Sequence, residues 1–316
     1  MRVLVTGACG FIGSNLCEKL RNQKIEFVGV DNMSNGNIEF FPEDCQLIKD
    51  DFSSSEVLDL IEKNTFDFVI HLAAIPRVSY SVEFPLETHE TNVNKTLRLM
   101  QASKGHIKRF IFASSSSVYG GVDVSKGPVA EFQEKNPRSP YALQKSIIED
   151  YLFLYKQLYG LESTCLRFFN VFGKNQLGNS PYATAISAWL TAIKKNESMR
   201  CDGDGTQSRD LCHVDNVVQA CINSVNSDKF GIYNVAYGTR TTNIEILQHF
   251  MRIYEGSRMH YAPWRPGDVM HTHADISKAK WEIGYTPKID PWNGIELTSR
   301  WFDKNWDLIK KLSIRT

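Results

Sequence analysis

The amino-acid sequence predicts an α/β protein, with a doubly wound parallel sheet and a smaller α/β lobe at its C-terminal end. Three observations support this prediction. Short β-branched runs alternate with longer amphipathic segments, a glycine-rich turn joins the first run to the first such segment, and the alternation loosens beyond about residue 174. We therefore place a first domain at residues 1–173 and the smaller lobe at 174–316, with some strands and helices exchanged between them.

Six runs have the length and β-branched or aromatic content of buried strands. They are Val3–Val5, Phe27–Val30, Gln46–Ile48, Phe68–His71, Phe110–Ala113 and Ser163–Arg167. The segments between them that have apolar residues at helical spacing are Ser14–Asn22, Glu56–Lys63, Thr91–Lys104 and Tyr141–Tyr159. Strands and helices that alternate in this way form βαβ units, in which neighbouring strands run parallel.

Composition excludes several classes of partner. The chain has 316 residues, with 36 Lys and Arg against 36 Asp and Glu, so no broad positive surface favours nucleic acid or an anionic membrane. We find no signal-peptide pattern and no apolar run near the roughly 18 residues of a membrane span. The seven cysteines form no C-x-x-C pair, which is typical of a reduced, cytoplasmic protein. His271 and His273 lack a second ligand pair, so we expect no metal site.

The glycine-rich turn follows the first predicted strand and contains Gly7, Gly10 and Gly13 within TGACGFIGS. These glycines permit a tight turn and a close approach to a pyrophosphate, which would lie against free N–H groups at a helix start. Asp31 follows Gly13 by 18 residues and ends the second strand. A carboxylate there can bind the adenine ribose hydroxyls and would repel a 2′-phosphate, so the sequence predicts that NAD is the cofactor.

A tyrosine and a lysine open the longest predicted helix in the pattern Tyr141-x-x-x-Lys145, which places both on one helix face. Ser115 lies 26 residues upstream, in a serine run that closes a strand. A free tyrosine has a pKa of about 10, and a nearby ammonium lowers it. We therefore expect Tyr141 to take a proton from a substrate hydroxyl while the adjoining carbon gives a hydride to NAD. Lys145 would lower the Tyr141 pKa and bind the nicotinamide ribose, and Ser115 would orient the hydroxyl.

The glycine spacing G-x-x-G-x-x-G resembles that of the extended short-chain dehydrogenase/reductase superfamily, and specifically its NAD-dependent epimerase/dehydratase family. Asp51-Phe52, the run from His71 to Ala74, Asn92 and the run Leu166–Gly173 strengthen the resemblance. It implies a Rossmann domain that binds NAD at residues 1–173. The implied cofactor-binding residues are Gly7, Gly10, Phe11, Ile12, Gly13, Asp31, Asn32, Asn35, Gly36, Asp51, Phe52, Leu72, Ala73, Ala74, Asn92, Ser114, Tyr141, Lys145 and Phe168.

The residues after Ser115 bear on the reaction. In this family, sugar-nucleotide dehydratases typically have Asp-Glu after the catalytic hydroxyl residue, and decarboxylases have Glu. Here Ser116 and Ser117 stand in those positions. The resemblance therefore favours a redox-neutral reaction, in which a sugar carbon is oxidised to a ketone and reduced again from the opposite face, which is epimerisation.

Motifs in the second half are most similar to those of UDP-N-acetylhexosamine 4-epimerases, which implies that residues 174–316 bind a UDP-sugar. Arginine donors suit a nucleotide diphosphate because they bind phosphate bidentately. The implied substrate-binding residues are Arg77, Ser115, Ser117, Asn170, Ala185, Trp189, Arg209, Arg240, Arg265, Asp268 and Thr272. The helical pattern leaves open whether Trp189 lies in the core or in the pocket.

The small Thr272 would admit an N-acetyl group, which favours UDP-GlcNAc and UDP-GalNAc, with UDP-glucose and UDP-galactose as further substrates. One alternative is a UDP-glucuronate 4-epimerase, because Arg77 would suit a substrate carboxylate, although uronate enzymes often have Thr in place of Asn170. Another is a different NAD-dependent sugar-nucleotide oxidoreductase. A dinucleotide-sensing regulator is disfavoured by the complete Ser, Tyr and Lys set. The resemblance also implies a homodimer through the helices at 91–104 and 141–159, the second of which has excess apolar surface.

Overall fold

The computed structural model describes residues 1–178, 184–264 and 269–313. Its strands are β1 Arg2–Thr6, β2 Glu26–Val30, β3 Gln46–Ile48, β4 Phe68–His71, β5 Arg109–Ser115, β6 Ser163–Phe168, β7 Val171–Phe172, β8 Met199–Asp202, β9 Ser208–Arg209, β10 Cys212–His213, β11 Gly231–Val235, β12 Thr241–Thr242 and β13 Met259–Ala262. Its α-helices are α1 Phe11–Asn22, α2 Ser55–Glu62, α3 Val78–Glu83, α4 Pro85–His89, α5 Thr96–Ser103, α6 Pro140–Tyr159, α7 Ala185–Lys194, α8 Val214–Asn226, α9 Asn243–Ile253, α10 Ser277–Ile283, α11 Pro291–Lys304 and α12 Trp306–Ser313.

A parallel sheet dominates the described residues, with seven strands in the order β11-β6-β5-β4-β1-β2-β3. This arrangement confirms the predicted fold class. The strand order reverses between β1 and β4, whose last residues, Thr6 and His71, are paired. A parallel sheet binds ligands in the crevice at such a reversal, outside the carboxyl ends of the strands.

Alternating side chains of each strand pack on opposite faces of the sheet. Val3 and Val5 of β1 belong to a core shared with α1 and α8, whereas Leu4 belongs to a core shared with α2, α5 and α6. A third apolar cluster lies among α7, α9, α11 and α12. The helices therefore cover both faces of the sheet and leave the carboxyl ends of its strands to the loops.

Two elements from the second half of the chain belong to the large sheet and its cover. Strand β11 pairs with β6 at the sheet edge, and α8 packs against α1. The predicted helix Thr91–Lys104 is divided, because Glu90–Lys95 forms a π-helical turn before α5 begins. Within the described ranges, no helix combines the length and apolarity needed to cross a membrane.

Candidate active site

The turn between β1 and α1 leaves no room for a side chain at Gly7 or Gly13. Gly7 has φ +69°, in the left-handed region. A Cβ placed on Gly13 would lie 2.0 Å from the Gly7 carbonyl oxygen, and one on Gly7 would lie 2.8 Å from the Ala73 nitrogen. The turn thus brings the first N–H groups of α1, which have no partner within the helix, next to the loop after β4. This cradle fits the pyrophosphate of a dinucleotide.

Asp31 lies where the sequence predicts, directly after β2. Its carboxylate accepts hydrogen bonds from the backbone of Cys9 and Met33, both at 2.9 Å. Burial raises the Asp31 pKa, against the effect of these bonds. A Cβ on Gly36 would lie 2.6 Å from Asp31 Oδ1, so this loop also closes on the carboxylate. The Gly10 N–H also acts on this carboxylate, and the acceptor positions that these backbone groups leave would take the ribose hydroxyls.

The other predicted cofactor residues occupy three loops at the same edge of the sheet. Phe11 and Ile12 open α1, and Asn32 and Asn35 are exposed in the loop after β2. Phe52 is buried against the His71 ring, with centroids 4.8 Å apart. Leu72, Ala73 and Ala74 are half-buried after β4.

Asp51 follows β3 and pairs with Lys95 in the π-helical turn, at 2.6 Å. Burial disfavours its ionised form, but the hydrogen bonds from Lys95 and Ser53 outweigh burial and lower the Asp51 pKa. Asn92 lies in the same turn. Its side chain accepts from the Ile75 nitrogen and donates to Gln144 Oε1, both at 2.8 Å, so it ties the loop after β4 to α6.

The predicted catalytic side chains come together at the end of β5. Ser139 caps α6 by accepting from the Ala142 nitrogen, and this start of the helix places Tyr141 beside β5. The Ser115 hydroxyl lies close enough to the Tyr141 phenol to act on its pKa. Burial raises the Tyr141 pKa to about 12, while Ser115 and the charge of Arg77 act in the opposite direction.

Lys145 lies one turn further along α6 and is 4% exposed. Its ammonium donates to the Ala113 carbonyl at 2.7 Å and lies 5.8 Å from the Tyr141 ring centroid. Burial lowers the Lys145 pKa to about 7, opposed by the carboxylate of Glu149. Ser115 and the charge of Arg77 favour the phenolate in the structure, and the lowering of the Tyr141 pKa by Lys145 stays a prediction.

A buried ionic network lies below this pair, and sequence reasoning did not identify it. Glu149 accepts from Arg167 Nε at 2.9 Å and Nη2 at 2.7 Å. Ser114, a predicted cofactor residue, donates its hydroxyl to Glu149 Oε1 at 2.5 Å. Arg167 also donates to Tyr119 Oη at 2.7 Å. The one available signal was the spacing of Glu149, four residues after Lys145 on the same helix face.

Asn170 and Thr272 are joined directly, although they lie in different halves of the chain. Thr272 Oγ1 donates to Asn170 Oδ1 at 2.8 Å, and Thr272 is 7% exposed. Asn170 has φ +25° and follows β6, whose last residue, Phe168, pairs with Ser115. Ser117 donates its hydroxyl to Ser115 Oγ at 2.9 Å, so it belongs to the same cluster.

Arg209 and Arg240 are also brought together. Strands β9 and β12 are antiparallel, with Thr241 opposite Arg209, so Arg240 is one residue away along the partner strand. Burial lowers the His271 pKa, and the charges of Arg240 and Arg209 lower it further, which places both arginines near that ring. The predicted ligands Arg265 and Asp268 lie outside the described residues.

Two residues that were predicted to contact the uracil ring of the substrate lie on α7. Ala185 is exposed at its first turn. Trp189 is 4% exposed, donates to the Arg200 carbonyl at 2.7 Å and packs edge-on against Phe250. Of the two alternatives that the sequence left open for Trp189, the structure places it in the core, within the apolar cluster of α7, α9, α11 and α12. In the described part of the chain, no three His, Cys, Asp or Glu side chains group as metal ligands.

A dinucleotide cradle and a buried tyrosine beside a serine and a lysine occupy one edge of this sheet. That combination defines an α/β enzyme of the short-chain dehydrogenase/reductase class, which transfers a hydride and a proton at a hydroxyl-bearing carbon. The family model described as "NAD dependent epimerase/dehydratase family" matches residues 3–236. The chain therefore belongs to that family, as the resemblance implied, and NAD is its cofactor.

Known relatives cover nearly the whole chain. A UDP-glucuronate 4-epimerase of Thermodesulfobacterium geofontis is 30% identical over 328 residues, covering 98% of this chain and 99% of its own. The structure of UDP-N-acetylglucosamine 4-epimerase from Methanobrevibacter ruminantium, in complex with UDP-N-acetylmuramic acid, has 36% identity and a TM-score of 0.90, with 96% and 98% coverage. UDP-glucose 4-epimerase of Thermotoga maritima, solved with UDP-glucose, has 31% identity and a TM-score of 0.92, with 97% and 100% coverage.

Proposed function

We propose that this enzyme is a UDP-sugar 4-epimerase, that UDP-GlcNAc and UDP-GalNAc are its principal substrate pair, and that UDP-glucose and UDP-galactose are accepted as well. The observation that carries the proposal is the buried Tyr141, whose phenol is acted on by Ser115 at the end of β5, with Lys145 one helical turn away. Residues 1–173 provide the NAD site, and residues 174–316 provide most of the UDP-sugar site.

In this proposal NAD, when bound, accepts a hydride from C4 of the sugar and returns it to the opposite face. Tyr141 takes the proton of the C4 hydroxyl and gives it back. Ser115 accepts and donates hydrogen bonds between the phenol and that hydroxyl. Lys145 holds its ammonium at the end of β5, where it binds the nicotinamide ribose. Burial keeps water away from Tyr141, so the proton moves between the phenol and the sugar.

The nucleotide half of the substrate needs positive charge, and the proposal takes it from arginines. Arg209 and Arg240 flank His271, whose pKa is lowered mainly by burial, so the histidine is neutral and the charge at this point belongs to the guanidinium groups. Their planar donors match phosphate oxygens. We assign Arg265 a phosphate contact and Asp268 a contact to the uridine ribose, on the sequence pattern alone.

The preference for an N-acetylhexosamine rests on Thr272. Its side chain is small, and its hydroxyl is already bonded to Asn170 and to the Asp210 nitrogen. The M. ruminantium enzyme, a UDP-N-acetylglucosamine 4-epimerase with a TM-score of 0.90 to this chain, supports the same choice.

A second candidate is UDP-glucuronate 4-epimerase, and Arg77 favours it. Arg77 precedes α3, and its charge acts on Tyr141, so a guanidinium lies close to the proposed reacting carbon. In a uronate the carboxylate is attached to the carbon next to C4, within reach of such a group. The T. geofontis relative is a UDP-glucuronate 4-epimerase.

The test is to incubate purified enzyme and NAD with UDP-GlcNAc, UDP-glucose and UDP-glucuronate separately, and to quantify isomers by proton NMR. We expect C4 epimers without accumulation of NADH, and the highest kcat/KM for UDP-GlcNAc. Preference for UDP-glucuronate would select the second candidate, and net NADH formation would contradict epimerisation. Tyr141→Phe should lower kcat by about 100-fold or more with NAD binding retained, and Tyr159→Phe, an exposed tyrosine of the same helix, should not.

Arg77→Gln separates the two candidates independently. For a uronate substrate, loss of the guanidinium should raise KM by about tenfold or more, because a carboxylate loses its charged partner. For UDP-GlcNAc no such selective loss is expected. An equal effect of Arg77→Gln on both sugars would show that Arg77 does not select between them.

We further propose that the enzyme is a cytoplasmic homodimer. Helix α6 has a row of exposed apolar side chains, including Phe153 at 66% and Leu158 at 60%, which is more than packing on its own core requires. Such a face suits the equivalent helix and the segment 91–104 of a second copy. Sedimentation should show a dimer that Leu158→Glu dissociates, and a wild-type monomer at all concentrations would refute this proposal.

A further inference from the structure

Asp210 is a buried carboxylate to which the reaction described above gives no role. Its exposure is 0%. Oδ1 accepts from the Tyr237 nitrogen at 3.1 Å and the Gly238 nitrogen at 3.0 Å, and Oδ2 accepts from the Ala274 nitrogen at 3.0 Å. The Thr239 N–H is near enough to lower the pKa of this carboxylate. Backbone groups from two separate segments therefore converge on one side chain.

The loop 237–239 is shaped around this anion. Two consecutive N–H groups, those of Tyr237 and Gly238, donate to the carboxylate, and Gly238 allows this with φ +89°. The next N–H, that of Thr239, also acts on the carboxylate. Such a concave run of N–H groups is a backbone nest, which forms around an anion. Arg240 is the next residue, so the loop that Asp210 holds is the one that delivers this guanidinium.

Asp210 is connected to the other proposed substrate residues through its own backbone. Its nitrogen donates to Thr272 Oγ1 at 3.0 Å, and Thr272 Oγ1 donates to Asn170 Oδ1 at 2.8 Å. Arg209 precedes it in the chain. The β9–β12 register pairs Thr241 with Arg209, and one further residue along that register places Arg240 opposite Asp210.

The ionisable side chains around Asp210 do not take the place of these backbone donors. His271 and His273 lie near Arg240, and burial together with that charge lowers the pKa of each. Cys212 and Tyr285 face the carboxylate from the core, and burial raises the pKa of both thiol and phenol. These groups are neutral at pH 7. Burial raises the Asp210 pKa to about 7, and the N–H groups of the loop are the partners that favour its ionised form.

We propose that Asp210 is a positioning residue of the diphosphate subsite, which fixes the loop 237–240 and thereby sets where Arg240 lies relative to Arg209. The inference rests on the proposed function, because it takes these two arginines as ligands of the nucleotide diphosphate. Asp210 does not contact the substrate in this proposal and acts through Arg240.

The experiment is a double-mutant cycle with Asp210→Asn and Arg240→Ala in the full chain, read by KM and kcat for UDP-GlcNAc and by calorimetric binding of UDP. Asparagine places an N–H₂ group where Oδ1 or Oδ2 accepts an N–H, so the loop must shift. We expect Asp210→Asn to raise KM and the UDP Kd by about tenfold, with kcat changed less than about threefold and NAD affinity unchanged. In the Arg240→Ala background the same substitution should cost less than about twofold.

A matched control is Asp204→Asn, an exposed carboxylate of the same segment that accepts from Thr206 and should change neither KM nor Kd. If Asp210→Asn does not fold, Gly238→Ala enters the cycle in its place, because alanine disfavours φ +89° and shifts the same loop. An unchanged KM, or the same loss with and without Arg240, overturns the inference and leaves the proposed function standing. A wild-type enzyme that neither binds UDP nor converts UDP-sugars overturns the proposed function instead.

Discussion

Glu149→Gln tests the buried ionic network below the proposed catalytic residues. The side chains of Glu149 and Arg167 are 0% and 2% exposed, and their closest atoms are 2.7 Å apart. Glutamine keeps the shape of the side chain but removes the charge, so the guanidinium of Arg167 stays in the interior without a counterion. Its remaining acceptors are neutral, namely Tyr119 Oη and the Glu131 carbonyl.

The expected loss of unfolding free energy is that of breaking a buried ion pair. Removing one partner of such a pair costs about 3–5 kcal/mol, because the other charge is left desolvated. Glutamine can still accept one of the three hydrogen bonds that Glu149 receives, from Ser114 and twice from Arg167, so we expect the lower part of that range, about 3 kcal/mol. The neighbouring Asp150 pairs with Lys135 at 2.5 Å but is 70% exposed, and Asp150→Asn should cost less than about 1 kcal/mol.

Urea unfolding followed by circular dichroism measures both variants against wild type at pH 7.5, with tryptophan fluorescence as a second probe of two-state behaviour. We expect a clearly lower urea midpoint for Glu149→Gln, with an unchanged dependence of the unfolding free energy on urea concentration. The double variant Glu149→Gln with Arg167→Met should recover part of the loss, since neither charge is then buried alone. A Glu149→Gln midpoint equal to that of Asp150→Asn would refute the argument.

Three further predictions concern the cofactor site and the sheet. Gly13→Ala puts a Cβ 2.0 Å from the Gly7 carbonyl oxygen, so NAD affinity in a fluorescence titration should fall by about tenfold or more, and unchanged binding would contradict the tight turn. Asp31→Asn removes the charge that repels a 2′-phosphate, so the NAD-to-NADP affinity ratio should drop by about tenfold, whereas a constant ratio would assign discrimination elsewhere. Burial lowers the His71 pKa from 6.5 to about 3, so below pH 6.5 the unfolded chain binds a proton that folded His71 does not. This group should therefore cost about 2 kcal/mol of stability between pH 7 and pH 5, and His71→Gln should lose less stability than wild type over that range in urea unfolding.

The parallel sheet was predictable because each buried strand carries its own signal. Gln46–Ile48 and Phe68–His71 have the same bounds in sequence and structure, since both are short β-branched or apolar runs with polar residues at their ends. The glycine turn and the Tyr141–Lys145 spacing are likewise local, because a turn and one helical turn are set by neighbours in sequence. The sequence could not decide whether Trp189 lies in the core or in the pocket, because helical periodicity indicates a buried face without saying what that face packs against.

The residues that sequence reasoning missed depend on contacts between distant segments. Glu149 meets Ser114 and Arg167 because β5 and β6 are adjacent under α6, and no periodicity within α6 reports that. Asp210 gathers a loop 27 residues away and the segment at Ala274, 64 residues away. In the sequence, Asp210 follows Arg209, and the charge of the arginine suggests a ligand for an anion. Nothing in that pattern indicates that the neighbouring carboxylate organises the backbone around it.

The electrostatics of Tyr141 connect the choice between a hexosamine and a uronate substrate with the stabilisation of the catalytic phenolate. The phenol is buried, so its ionisation depends on the few groups aimed at it, and Arg77 and Ser115 are the two that favour the phenolate. Arg77 reaches it from the loop after β4, which Asn92 ties to α6. A neutral hexosamine in the site brings no carboxylate that would compete with the phenolate for the charge of Arg77. With a uronate, the substrate carboxylate would pair with Arg77 and take part of that charge away, so a uronate enzyme would need Lys145 to supply more of the stabilisation. The same guanidinium therefore cannot be optimal for both roles, and its effect on each sugar reports which role this chain uses.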